Sequence, residues 1–172
     1  MPEDYTLLPL SQDIIPLTFC CGSAQEHRDL DEFLLQDAIT YQNQHIGTTK
    51  IISIDNRIVG YFTLCSSEVN LKTKENWLYP KVKMEYFPAI KLARFAIQQD
   101  YQRKGIGEKI IKYVIGLAIT LNSSIGCRFV LVDAIPDSVP FYEKIGFIKN
   151  LSYSSKKRRH PSLRLDIYSD LK

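Results

Sequence analysis

The chain has no long apolar run. In 172 residues nothing approaches the roughly 20 apolar residues of a membrane-spanning helix, and the N-terminus, Met1-Pro2-Glu3-Asp4, is acidic where a secretion signal would be basic. Histidine is scarce, and the three present stand at no metal-ligand spacing. The four cysteines, Cys20, Cys21, Cys65 and Cys127, include no Cys-x-x-Cys pair, and two of them are adjacent, which is poor geometry for a mutual disulfide. Membrane spans, metal centres and a secreted disulfide framework are thereby excluded. A soluble cytoplasmic protein with reduced thiols is expected. A strong charge of one sign is lacking too: 22 basic against 19 acidic side chains leave an excess of three, a slight preference for anionic partners. What is present is 45% hydrophobic residues, enough for one well-buried core and too few for two, so a single domain over residues 1–172 is expected.

Residues 5–10 read as a short first strand. From Ser23 the period becomes helical: Leu30, Phe33, Leu34, Ala38 and Tyr41 share a face, Ser23 and Glu26 have the form of a capping box, and the helix should end near Asn43. Cys20, Cys21 and Gly22 before it read as a turn with buried thiols. Residues 46–54 and 57–64 are β-branched runs joined by Asp55-Asn56, residue types that tolerate the left-handed backbone of a tight hairpin. Residues 66–86 carry Lys72, Lys74, Lys81, Lys83 and Pro80, show no period and read as a long loop. A strand starting at Pro88 and ending in Leu92-Ala93-Arg94-Phe95-Ala96-Ile97 follows. The next helix puts Ile110, Ile111, Val114, Leu117, Ala118 and Leu121 on one face, and residues 127–132 form an apolar strand suited to burial on both sides. Strand, helix and strand make a βαβ unit whose strands should be parallel.

A short helix over 138–144 is stopped by Gly146, and Phe147-Ile148 restarts a strand. In the last strand Leu163, Leu165 and Ile167 alternate with Arg164, Asp166 and Tyr168. Between these two strands lie Lys156, Lys157, Arg158, Arg159 and His160, either a solvated charge run or a patch that tracks a nucleic-acid backbone. The fold class is α/β, a mixed central sheet with flanking helices.

The stretch Gln102-Arg103-Lys104-Gly105-Ile106-Gly107 joins that middle strand to its helix. A glycine turn entering a helix gathers unpaired N–H groups and the positive end of the helix dipole at one spot, which suits a phosphate. Gly105 and Gly107 are free to adopt φ > 0, and Arg103 and Lys104 add charge. A Walker loop needs a different spacing. A dinucleotide fingerprint needs a third glycine where this chain has Ile110.

Gln-x-x-Gly-x-Gly resembles the pyrophosphate-binding motif of the GNAT superfamily of acyl-CoA-dependent N-acetyltransferases, and the segment from Phe141 to Phe147, Phe-Tyr-Glu-Lys-Ile-Gly-Phe, resembles that family's second motif. The resemblance implies acetyl-CoA as cosubstrate. Its pantetheine arm would lie along Phe95, Ala96 and Ile97, its pyrophosphate on the amides from Gln102 through Arg103, Lys104, Gly105 and Ile106 to Gly107, and Phe141 beside it. A backbone N–H near Ala96 or Ile97 would polarise the acetyl carbonyl, and Tyr142 would give a proton to the departing thiolate.

The resemblance supplies no base, because residues 87–99 contain no carboxylate. A lysine amine near pKa 10.4 must lose a proton before attack, whereas an α-amino group near 8 is partly neutral already, so an amine of lower pKa, or a base relayed through water, is favoured. The segments Phe19-x-Cys21-Gly22, Leu30-Asp31-x-Phe33-Leu34, Gly60-Tyr61-Phe62 and the strand around Arg94 resemble the acetyltransferase toxins of toxin–antitoxin modules, which acetylate aminoacyl-tRNA. That implies an antitoxin partner, with Arg94, Lys156, Lys157, Arg158 and Arg159 on the RNA. The doubled cysteine and a longer insert before Leu30 depart from the branch. Acetylation of a small amine or a protein amino group, acetyl-CoA binding without turnover, and plain nucleic-acid binding stay open, as do monomer and homodimer.

Overall fold

The computed structural model describes residues 5–71, 82–151 and 159–169. Lys72, Lys74, Pro80 and Lys81 of the expected loop, and Lys156, Lys157 and Arg158 of the basic run, lie outside the described residues. The elements follow the order β1 (Thr6–Pro9), α1 (Gln25–Glu32), a π-helical segment (Phe33–Asp37), α2 (Ala38–Asn43), β2 (Thr48–Ile54), β3 (Arg57–Asn70), β4 (Tyr86–Ile97), α3 (Ile106–Leu121), β5 (Phe129–Asp133), α4 (Val139–Ile145), β6 (Ile148–Lys149) and β7 (Ser162–Asp166). The strands make one sheet in the order β1-β2-β3-β4-β5-β7-β6. β1 with β2, β2 with β3, β5 with β7 and β6 with β7 are antiparallel. β4 and β5 run the same way, since the N–H of Arg128 donates to Pro88 at 2.8 Å and, further along both strands, Lys91 meets Asp133 at 2.6 Å. The sheet is therefore mixed, as the βαβ pattern requires.

By its contacts the chain divides into two compact units, Met1–Cys65 with Leu92–Ile111 and Ser66–Lys91 with Lys112–Lys172. In the first, Leu10, Phe19, Phe33, Leu34, Ile51, Tyr61 and Ala96 form the core. Phe33 and Leu34, adjacent at the start of the π-helical segment, are both buried. The expected capping box does not form. Ala24 is the N-cap residue and makes no side-chain cap, while Ser23 accepts a hydrogen bond from Arg28 at its carbonyl, 2.8 Å away. Polar partners inside the first turns, Gln25 with Asp29 and Arg28 with Gln25, hold the start instead. The hairpin is as expected: Asp55 and Asn56 take φ of 47° and 60°, the two left-handed residues of a tight primed turn.

In the second unit β3 continues to Asn70, beyond the expected end at Leu64. The polar residues Ser66 and Glu68 hide the strand in the sequence, but they face solvent while Val69 and Leu71 join Phe87, Ala89, Phe129 and Leu131 in a buried cluster. β4 likewise begins at Tyr86 and contains Pro88. α4 ends at Gly146 with φ of 110°, where Gly146 and Phe147 donate to Glu143 and Tyr142. β7 corrects a second expectation. Arg164, which alternation puts on a polar face, is 1% exposed. Leu163 beside it is buried as well, so both faces of β7 are covered here, and Arg164 donates to Asn150 Oδ1 at 2.9 Å while Asn150 donates to Ser162 Oγ at 2.9 Å.

Candidate active site

β4 ends against a bulge in β3. The register shifts after Ile52, leaving Val59 as the extra residue, and the Val59 carbonyl accepts the N–H of Gln98 at 2.8 Å. At Gly60 a Cβ would stand 2.6 Å from the Ala96 carbonyl oxygen, so only glycine permits this approach. Ala96 is thereby buried, and Phe95 and Ile97 are half-buried.

Past β4 the chain turns through a short 3-10 segment, Gln99–Tyr101. Gln99 donates to the carbonyl of Cys20 at 2.9 Å. The side-chain amide of Gln102 donates twice, to Cys21 at 2.7 Å and to Ile97 at 2.9 Å, and its N–H donates to Gln99 at 3.2 Å. Gln102 thus ties the loop before α1 to the end of β4. Its polar groups shape the turn from within.

The next residues alternate in hand. Arg103 has φ of 61° and Gly105 has φ of 82°, with nothing within 4 Å of a Cβ placed on Gly105. Gln102 before them is extended, and left-handed residues on either side of Lys104 change the direction of successive N–H groups, as in the backbone nests that hold anions. Gly107 differs from expectation: it lies in the first turn of α3 without a positive φ. The N–H groups of Ile106 and Gly107 sit in that first turn, where no helical carbonyl precedes them. Lys104 places Nζ 4.9 Å from the Tyr101 ring, and Lys109 places its own 5.9 Å from Tyr5. Gln102, Arg103, Lys104 and Gly105 are exposed and Ile106 is buried.

Tyr142 belongs to the second unit. Pro140 stands in the first turn of α4, where a missing N–H costs nothing, and carries the chain into Phe141 and Tyr142. The Tyr142 ring meets Phe141 at 5.1 Å and Phe147 at 5.4 Å, both edge-on, and is 5% exposed. Burial pushes its phenol above the ordinary tyrosine range, so the proton is retained. Phe141 is half-buried beside it, and Arg159 is exposed.

Cys21 and Cys127 are buried free thiols and Cys20 is an exposed one. Burial raises the Cys21 thiol and the Asp31 carboxylate raises it further, the reverse of an activated nucleophile. Sequence reasoning singled out Gly60 only within Gly60-Tyr61-Phe62 and missed its approach to Ala96, and it missed Val59 and the Lys91–Asp133 ion pair. Gly60 carried a signal, a lone glycine inside a β-branched run; the other two carried none.

The sequence matches the GNAT acetyltransferase domain over residues 22–160. The chain belongs to the GNAT acetyltransferase family, and it is an enzyme of acetyl transfer. Among individual proteins, a tRNA-acetylating toxin of Mycobacterium tuberculosis is 28% identical over 124 residues, covering 69% of this chain and 71% of that one. AtaT complexed with acetyl-methionyl-tRNAfMet matches with a TM-score of 0.81 at 21% identity, over 98% of both chains. A tyrosine-to-phenylalanine mutant of AtaT, bound to the C-terminus of the antitoxin AtaR and acetyl-CoA, gives 0.73 at 19% identity over 97% of this chain and 96% of that one. These two structures share the fold.

Proposed function

We propose that the protein transfers the acetyl group of acetyl-CoA to the α-amino group of aminoacyl-tRNA and so blocks translation. The observation that carries this reading is that β4 has no carboxylate and is followed, after a short 3-10 segment, by a glycine turn with left-handed backbone at Arg103 and Gly105. The nest after Gln102 holds the pyrophosphate, with Arg103 and Lys104 at its rim, and the backbone of Phe95, Ala96 and Ile97 holds the pantetheine arm. The α-amino group loses a proton to water, which its pKa near 8 allows without a strong base. Its nitrogen then attacks the thioester carbonyl, whose oxygen is stabilised by a main-chain N–H at Ala96 or Ile97. The nitrogen, cationic after attack, gives its extra proton to water; as the C–S bond breaks, the phenol of Tyr142 gives its proton to the thiolate and is reprotonated from solvent. The products are N-acetyl-aminoacyl-tRNA and CoA. The kinship with a tRNA-acetylating toxin supports this acceptor, and the AtaT–AtaR pairing suggests that a protein antitoxin restrains the enzyme.

The test offers labelled acetyl-CoA with charged tRNA, bulk protein and a panel of small amines. Label is expected in RNA and should disappear when the tRNA is deacylated. Label confined to protein or to small amines would assign the chain to another acceptor class, and acetyl-CoA binding without transfer would leave a non-catalytic module.

A further inference from the structure

Arg94 lies on β4 two positions before Ala96, on the same face of the strand, and its side chain is exposed. It is nevertheless held in place. The guanidinium carbon stands 5.0 Å from the centroid of the Phe33 ring, and Nη1 donates to the carbonyl of Ala93 at 2.8 Å. Phe33 opens the π-helical segment, is 4% exposed, stacks on Tyr61 at 6.1 Å with 20° between the rings, and meets Tyr41 edge-on at 5.3 Å. Tyr61 is fixed in turn: its hydroxyl donates to Leu30 at 2.7 Å and its ring meets Phe19 edge-on at 5.8 Å. An exposed planar cation therefore rests on a rigid buried aromatic cluster. Such a cation is a stacking surface for a nucleobase.

We infer that Arg94 is the platform on which the terminal adenine of the aminoacyl-tRNA stacks. The inference rests on the acceptor proposed above. Two residues of strand separate Arg94 from Ala96, about 7 Å. In the acceptor, only the α-carbon and the ester group separate the reacting nitrogen from the ribose that bears the adenine. With the nitrogen at the acetyl carbonyl near Ala96, the base reaches the level of Arg94. Every charged tRNA ends in this adenosine, so the stack recognises charged RNA whatever amino acid it carries. It also disfavours free amines, which bring no base to the platform. Phe33 opens the π-helical segment and is buried beneath Arg94.

The discriminating experiment compares two acceptors with the same amino acid, one esterified to adenosine and one to a ribose without a base. For the wild-type enzyme kcat/KM should favour the adenosine ester. In Arg94→Ala and in Arg94→Lys, which keeps the charge and loses the plane, that preference should shrink by about tenfold, mainly through KM. Phe33→Leu should act in the same direction. Thermal melting of Arg94→Lys, expected to match the wild type, separates the effect from misfolding. An unchanged preference would overturn the inference, and so would a preference that changes only with full-length charged tRNA, the mark of a phosphate contact. If the wild-type enzyme acetylates charged tRNA and the preference is unaltered, only the stacking assignment falls. If it acetylates no charged tRNA, the acceptor assignment falls as well.

Discussion

Gln102 occupies the first position of the Gln-x-x-Gly-x-Gly motif, yet its side chain faces two carbonyls of the protein itself. Loss of a donor shared by Cys21 and Ile97 should cost about 1–3 kcal/mol and loosen the turn. Gln102→Glu tests this with little change of shape, since a carboxylate can only accept where the amide donated. Urea denaturation should show the loss of stability, and titration with acetyl-CoA should show weaker binding. Tyr142 makes a contrasting case. Tyr142→Phe removes only the oxygen, so acetyl-CoA affinity should hold while kcat falls by about a hundredfold, the lower end of what a general acid contributes. Because burial keeps the phenol protonated above its ordinary range, kcat should show no alkaline limb from this group below about pH 10. A limb near neutral pH that vanishes in Tyr142→Phe would remove Tyr142 from the acid role. The sequence exposed Tyr142 through its neighbours. It hid the job of Gln102, because one of the carbonyls that Gln102 binds belongs to Cys21, far away in the chain.

At the scale of elements, the end of β4 is set by β3. Gly60→Ala would force a Cβ against the Ala96 carbonyl and Ile97 Cδ1, at 2.6 and 2.8 Å before relaxation. Overpacking of this kind costs about 1–3 kcal/mol. Relief can come only by moving the β4 backbone that the thioester is proposed to use, so Gly60→Ala should raise the KM for acetyl-CoA more than its loss of melting temperature explains. An equal KM would show that the end of β4 tolerates displacement. The elements themselves were largely legible. The hairpin followed from Asp55-Asn56, α3 from its apolar stripe, and the stop of α4 from Gly146, because each signal is local. The π turn was not legible, since Phe33 and Leu34 fit an ordinary helix equally well. Neither was the extension of β3, where only tertiary burial of Val69 and Leu71 shows that Ser66 and Glu68 lie on a strand. Arg164 failed for the same reason: alternation assumes one wet face, and at Leu163 and Arg164 both faces of β7 are buried.

For the whole molecule, the buried acids fix how stability depends on pH. Cys21, Tyr61, Tyr142 and Cys127 all carry pKa values raised chiefly by burial, so the folded chain holds these protons where the unfolded chain releases them. A raised folded pKa contributes stability that is complete below the unfolded value and is lost as pH climbs toward the folded one. The unfolded thiols titrate near 8.5 and the phenols near 10. Urea unfolding should therefore give a constant stability from about pH 7 to 8, a first decline above about pH 8.5 as the thiols ionise, and a steeper one above about pH 10. In that upper range each buried phenol removes up to about 1.4 kcal/mol per pH unit. Tyr61→Phe should separate this effect from general alkaline damage. It loses the hydrogen bond to Leu30, so it should be less stable at pH 7 by about 1 kcal/mol, yet its alkaline decline should be shallower and the two curves should converge. Parallel curves would mean that Tyr61 ionises alike in both states, and that the core around Phe33 and Arg94 admits water more freely than its burial implies.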